Sequence, residues 1–358
     1  MTTHTRFLIA SGGTGGHFYP GFAIGRALHK QGATVLFLVR RNDPAKAILA
    51  HYNMAFAELD LTGLPRSFNP VRHARFVVKL FRTLKHTRHI IAQFKPDVTL
   101  GTGGYISFPL IFCAHRMGIK TALHESNTRM GLANKICAHF ADLVMLGLPI
   151  NKKLKNARLS STPVRGEFAK AVSREAVLSE LGLNPVVRTV LVMGGSQGAK
   201  GLNEAVVALI KAQPDTQFIH LTGEKWFDAL SQSYSGLSHV RALPYSHEVY
   251  KLMQAADVMI CRSGASTLAE LMACRLPAIL VPFPHAAEDH QYHNAKVLEK
   301  YGCAVVFREN PNLAAQLKKT LADLTPERLA QIKNAYAQIP LPDPLTAAGE
   351  IATLLQKL

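Results

Sequence analysis

The sequence predicts an α/β protein of two doubly wound domains. Two observations carry that expectation. Short apolar runs alternate with helical segments along the chain, and the opening pattern of apolar run, glycine loop and helix restarts near residue 188. Such alternation favours parallel strands covered by helices on both faces. A length of 358 residues exceeds one ordinary core and suits two.

Arg6–Ala10 reads as the first strand, Ser11–His17 as a glycine loop, and a helix follows to about Lys30. Thr34–Val39 is a second strand, Asp97–Leu100 opens a third and Lys120–Leu123 a fourth. Val98–His115 is a long stretch without Asp, Glu, Lys or Arg. Gly101, Gly103, Gly104 and Pro109 interrupt it, so it reads as strand, loop and short helix rather than a membrane span. Phe7–Ala10 is too short for a secretory signal. Ser160–Pro163 breaks the pattern and marks a domain join. The expected domains are 1–160 and 161–340. Residues 341–358 form a C-terminal helix expected to pack back on the first domain. In the second domain Arg188–Met193 runs into Gly194-Gly-Ser-Gln-Gly198, and strands follow at Gln217–Leu221, Val258–Cys261 and Ala278–Val281.

Five cysteines, none in a C-x-x-C pair, read as buried reduced thiols, and no metal site is expected. The net charge is +17. Residues 1–160 hold 22 Lys and Arg against 6 Asp and Glu, whereas residues 161–358 hold 19 against 18. That segregation points to an anionic partner for the first domain: nucleic acid, membrane or phosphorylated substrate. Residues 61–96 contain no acid. Within them Arg72, Arg75, Lys79 and Arg82 share a helix face, with Phe76, Leu80 and Phe81 supplying apolar surface beside it. A basic amphipathic helix of this kind fits an anionic lipid surface.

Both glycine loops join a strand to a helix, where backbone N–H groups and the helix dipole suit an anion. The first loop does not meet G-x-G-x-x-G, because Phe18 stands at the third glycine, and no P-loop is present there. A dinucleotide oxidoreductase is therefore disfavoured.

Several ordered segments together resemble one family. They are Gly12-Gly-Thr-Gly-Gly-His17, Gly103-Gly-Tyr105, His124-Glu125-x-Asn127, Pro163-Val-Arg165, Gly194-Gly-Ser-Gln-Gly198, Arg262-Ser-Gly-Ala265, Glu270 and Gln291-x-x-Asn294-Ala295. The chain is similar in these to the MurG family, UDP-N-acetylglucosamine transferases that convert lipid I to lipid II in peptidoglycan synthesis. The resemblance implies a GT-B fold, two Rossmann-like domains facing a cleft, and an inverting transfer without a cofactor, with residues 1–160 binding acceptor and membrane and residues 161–340 the UDP-sugar. It implies UDP-GlcNAc and undecaprenyl-linked lipid I as substrates, no nucleic-acid partner, and a peripheral location on the cytoplasmic face of the bacterial inner membrane. Thr162, Ser126 and Arg275 depart from the family pattern.

On this reading His17 is the base, kept neutral by the helix N-terminus beside it. Donor contacts are expected from Thr14, Gly15, Asn127, Arg165, Ser196, Tyr245, Ser246, Ser266, Thr267, Glu270, Gln291 and Asn294. Acceptor contacts are expected from Gly13, Gly16, Gly103, Gly104, Tyr105 and Glu125. A UDP-sugar epimerase and a transferase with another acceptor are the alternatives.

Overall fold

The computed structural model describes residues 5–61, 63, 69–195 and 198–358. The chain divides into two compact units, Met1–Arg165 with Leu341–Leu358, and Gly166–Pro340. The first boundary thus falls after Arg165 rather than at Ser160.

The first unit runs β1 (Arg6–Ala10), α1 (Gly15–Lys30), β2 (Thr34–Arg40), α2 (Ala45–His51), β3 (Phe56–Leu59), α3 (Pro70–Phe94), β4 (Val98–Gly101), α4 (Ser107–Arg116), β5 (Lys120–Glu125), α5 (Leu132–Cys137), β6 (Leu143–Leu146) and β7 (Ala157–Leu159). The second runs α6 (Arg174–Glu180), β8 (Thr189–Met193), α7 (Lys200–Lys211), β9 (Gln217–Leu221), α8 (Phe227–Ser233), β10 (Val240–Leu243), α9 (Val249–Ala255), β11 (Val258–Cys261), α10 (Ala265–Cys274), β12 (Ala278–Leu280), α11 (His290–Lys300), β13 (Ala304–Val306), α12 (Leu313–Asp323) and α13 (Pro326–Ala335). Helix α14 (Ala347–Gln356) returns to the first unit.

Each unit holds one wholly parallel sheet, ordered β3-β2-β1-β4-β5-β6-β7 in the first and β10-β9-β8-β11-β12-β13 in the second. Strand order therefore reverses between β1 and β4, and again between β8 and β11. Ligands of open α/β sheets bind beyond the carboxyl ends of the strands at such points.

Helix layers on both faces explain why β1 is apolar from Phe7 to Ala10. In β1, Phe7 and Ile9 enter a core with α1 and α14, through Ile24, Leu28, Ile351 and Leu355. Leu8 and Ala10 enter the opposite core with α3 and α4, through Ile90, Ile91 and Leu110. All four β1 side chains are fully buried, as period-two alternation between two covered faces requires. Cys113, Cys137, Cys261 and Cys303 are buried, Cys274 is half-buried and all are free thiols. Burial pushes Cys113 and Cys303 up to about 11 and Cys137 and Cys274 up to about 12.

Arg275 ends α10 in the left-handed region at φ 47°. Its side chain is exposed. A Cβ costs about 1–2 kcal/mol in that conformation, partly offset by the flexibility of an unfolded glycine. Arg275→Gly should therefore stabilise the protein by roughly 0.5–1 kcal/mol, read as a higher denaturation midpoint at unchanged slope. A lower midpoint would mean that the guanidinium makes a stabilising contact.

Candidate active site

The first unit gathers its candidate residues at the switch between β1 and β4. Helix α1 starts at an extended Thr14 that supplies no side-chain cap, so its first-turn N–H groups keep no side-chain partner at that cap. Gly13, Thr14, Gly15 and Gly16 are exposed. His17 is half-buried and lies over the loop that follows β4. A Cβ on Gly103 would stand 2.6 Å from His17 Nδ1, and one on Gly104 would stand 3.6 Å from His17 Cδ2. Gly103 has φ 105°, which also favours glycine.

The backbone under His17 is held by two hydroxyls. Thr102 Oγ1 donates to His17 O at 2.8 Å, and Ser11 Oγ lies 3.1 Å from the same carbonyl. Ser107 Oγ closes the second loop by accepting from Gly103 N at 2.9 Å. Asp43, 5% exposed, accepts from Gly13 N at 2.7 Å and thereby shapes the first glycine loop. Ser11 and Thr102 each follow the end of a strand, a position that could have marked them. Asp43 carries no such signal, because tertiary packing alone brings it to Gly13.

Tyr105 is 46% exposed and sits beside Gly63. Arg165 lies in the first unit, its guanidinium 5.1 Å from the ring centroid of Tyr19 on α1. Asn127 is half-buried after β5. Glu125, expected at the acceptor, corrects that expectation. It is 2% exposed, and its oxygens accept from Asn127 N, Asn127 Nδ2, Gly131 N and Asn134 Nδ2 at 2.9–3.1 Å. The carboxylate builds the loop 126–131 rather than reaching a ligand. His124 is likewise internal. Burial lowers its pKa, and because the carbonyl of Ser161 can only accept, Nε2 carries the proton at 3.0 Å. Ser126, one of the departures, donates to the remaining nitrogen at 3.3 Å.

The second unit repeats the arrangement at β8 and β11. Helices α7 and α10 begin at Ala199 and Gly264 without side-chain caps. Gly195 and Gly198 of the glycine loop have φ 95° and 70°. A Cβ on Gly198 would fall 2.5 Å from the carbonyl of Thr222, so the turn admits only glycine. Ser196 lies outside the described residues. Ser266 Oγ, in the first turn of α10, is buried with no hydrogen-bond partner among the described residues. A buried hydroxyl left so invites an external acceptor. Thr267 and Glu270 are half-buried on the same helix. Tyr245 is 40% exposed after β10, and Ser246 Oγ accepts from Glu248 N at 3.1 Å.

Asn294 corrects a second expectation. It is fully buried, and its Nδ2 donates to Ser263 O at 3.3 Å, so it fastens α11 to the loop after β11 instead of facing a sugar. Gln291 is half-buried, with Oε1 accepting from Phe283 N at 2.9 Å. Among the described residues no group of three or more His, Cys, Asp or Glu is placed to hold a metal ion.

Helix α3 is exposed over its first turns. Val71, Val77, Val78 and Phe81 are 47–68% exposed, and Arg72, Arg75 and Arg82 are exposed with them. Phe76 and Leu80, expected on the outer surface, are half-buried. Lys79 pairs with Asp60 at 2.7 Å, just before the acid-free stretch, and that pairing lowers the Asp60 pKa.

Two doubly wound parallel sheets, each with uncapped helix N-termini at its switch point, give the chain the GT-B architecture. The family model of the glycosyltransferase family 28 N-terminal domain matches residues 7–146, and that of the C-terminal domain matches residues 189–347. A curated UDP-N-acetylglucosamine–N-acetylmuramyl-(pentapeptide) pyrophosphoryl-undecaprenol N-acetylglucosamine transferase of Elusimicrobium minutum is 48% identical over 99% of both chains. The protein of that name in Listeria monocytogenes is 32% identical over 98% of this chain and 99% of its own. The crystal structure of Acinetobacter baumannii MurG superposes with a TM-score of 0.81 at 26% identity, covering 99% of this chain and 100% of that one. The glycosyltransferase of kitacinnamycin shares the fold at 14% identity, with a TM-score of 0.73 over 99% of both chains. The chain belongs to the MurG family within glycosyltransferase family 28.

Proposed function

We propose that the protein transfers N-acetylglucosamine from UDP-GlcNAc to the C4 hydroxyl of the muramyl sugar of lipid I, forming lipid II with inversion. The observation that carries this reading is identity to a curated transferase of that substrate pair along 99% of both chains. In the reaction the C4 oxygen bonds to the anomeric carbon as the bond from that carbon to the β-phosphate oxygen breaks. The electron pair leaves on UDP, and the hydroxyl proton goes to a base. His17 takes that role, supported by its place at the start of α1, where the helix field disfavours imidazolium. The first turns of α7 and α10 receive the diphosphate, supported by their uncapped N–H groups and the unpartnered Ser266 hydroxyl. Glu270 accepts from the ribose hydroxyls, and the main chain near Tyr245 and Ser246 reads the uracil. These groups stabilise the leaving UDP in place of a resident cofactor.

Incubation with UDP-GlcNAc and a short-chain lipid I analogue tests the proposal. The expected product carries a disaccharide, and UDP appears in equal amount. Conversion of UDP-GlcNAc to its 2-epimer without any acceptor would establish the epimerase instead.

The acceptor is a membrane lipid, and no helix among the described residues is long and apolar enough to cross a membrane. We place the protein on the anionic cytoplasmic surface through the outer face of α3. Exposed Phe81 and Val78 beside Arg75 and Arg82 support this. Each cation contributes about 1 kcal/mol at such a surface, so replacing Arg72, Arg75 and Arg82 with Gln should weaken anionic-vesicle binding about a hundred-fold. Transfer to a water-soluble acceptor should persist. Parent-like sedimentation of the triple variant with anionic vesicles would put the membrane contact elsewhere.

A further inference from the structure

Loops leave the carboxyl ends of β11, β12 and β13, and one ion pair ties all three to the end of β8 and the first turn of α7. Arg262, the first residue after β11, is 8% exposed. Its backbone N donates to Met193 O at the end of β8, at 3.4 Å. Its Nη1 donates to the carbonyls of Val281 and Pro282, after β12, at 3.1 and 3.2 Å. Its Nη2 donates to Glu309 Oε2, after β13, at 2.6 Å. Glu309 then lies against Gly201, in the first turn of α7. A Cβ on Gly201 would stand 1.7 Å from Glu309 Oε1, so this approach needs glycine. A carboxylate at a helix N-terminus is favoured by the dipole, and a buried guanidinium needs a carboxylate partner.

We propose that Arg262 and Glu309 are a positioning pair for the donor site. The pair fixes the first turn of α7 against the loop that leads into α10, and so sets the spacing of the two helix N-termini that receive the diphosphate. The proposal rests on the donor-site reading above. Glu309 acts through α7 and is not a catalytic residue.

The test is UDP titration by calorimetry and steady-state kinetics on the full chain. Glu309→Gln keeps an oxygen for Arg262 but sets a neutral amide against α7. Gly201→Ala drives the carboxylate away. Each should raise the UDP Kd and the donor KM about tenfold, the usual scale for losing a charge-assisted contact, with kcat within about twofold. The double variant Gly201→Ala with Glu309→Ala should also lose about tenfold, not a hundredfold, because both changes break one contact. Glu309→Gln, which keeps an oxygen for Arg262, should melt near the parent, whereas Gly201→Ala should melt lower because it strips the buried guanidinium of its carboxylate; these two variants decide the matter if Glu309→Ala unfolds. Parent-like UDP affinity in those two variants, or multiplicative losses in the double, would overturn the pair's role while leaving the donor site standing. A parent that binds no UDP would overturn the donor reading, and the positioning role with it.

Discussion

His17→Ala should lower turnover by about 10²–10⁴-fold, the usual contribution of a positioned general base. UDP affinity should barely change, because the groups assigned to the diphosphate lie in the other unit. The residue's setting argues for a base. It occupies the first turn of α1, and its backbone carbonyl accepts from Thr102 Oγ1 at 2.8 Å. Gly103 and Gly104 leave space for its ring. The other acid–base groups near the loop after β5 are internal: His124 is fully buried and Glu125 is 2% exposed. Measurement at saturating donor and acceptor separates the roles. A loss confined to acceptor KM, with kcat intact, would make His17 a hydrogen-bonding contact only.

Gly103→Ala should reproduce most of that loss without touching the imidazole's chemistry. The new Cβ would fall 2.6 Å from Nδ1, too close for the ring to stay. Displacing a reacting group by about 1 Å costs on the order of 10²-fold in rate. The left-handed φ of 105° adds roughly 1–3 kcal/mol of folding cost, to be measured separately by denaturation. Because both substitutions remove one group, Gly103→Ala made in the His17→Ala background should slow turnover little further. Multiplicative losses would show that the second glycine loop contributes something other than room for His17.

Most inner strands were legible because parallel strands covered on both faces are largely apolar, although the inner strand β6, Leu143–Leu146, was not read. Gln217–Leu221 and Val258–Cys261 fall where the residues put them. The edge strands β3, β7, β10 and β13 were not legible. They are three or four residues long, and Glu58, Arg158 and Arg241 break the apolar pattern in three of them. Glycine loops were legible for a similar reason, since a strand–helix turn at an anion site leaves a sequence mark. Polar residues misled where a buried backbone needed them. Glu125 and Asn294 carry ligand-type chemistry but spend it on loop N–H groups and the Ser263 carbonyl. Only folding decides whether an amide or a carboxylate faces out or in. Asp60 shows the same limit, standing one residue outside an acid-free stretch yet neutralising Lys79 within it.

The most direct measurement is the configuration and position of the new sugar linkage. With ¹³C-labelled UDP-GlcNAc and a lipid I analogue, NMR of the isolated product should show a β-linked N-acetylglucosamine on the muramyl C4 oxygen, formed from the α-linked donor. An α linkage, attachment at another hydroxyl, or label that never leaves the nucleotide would contradict the account.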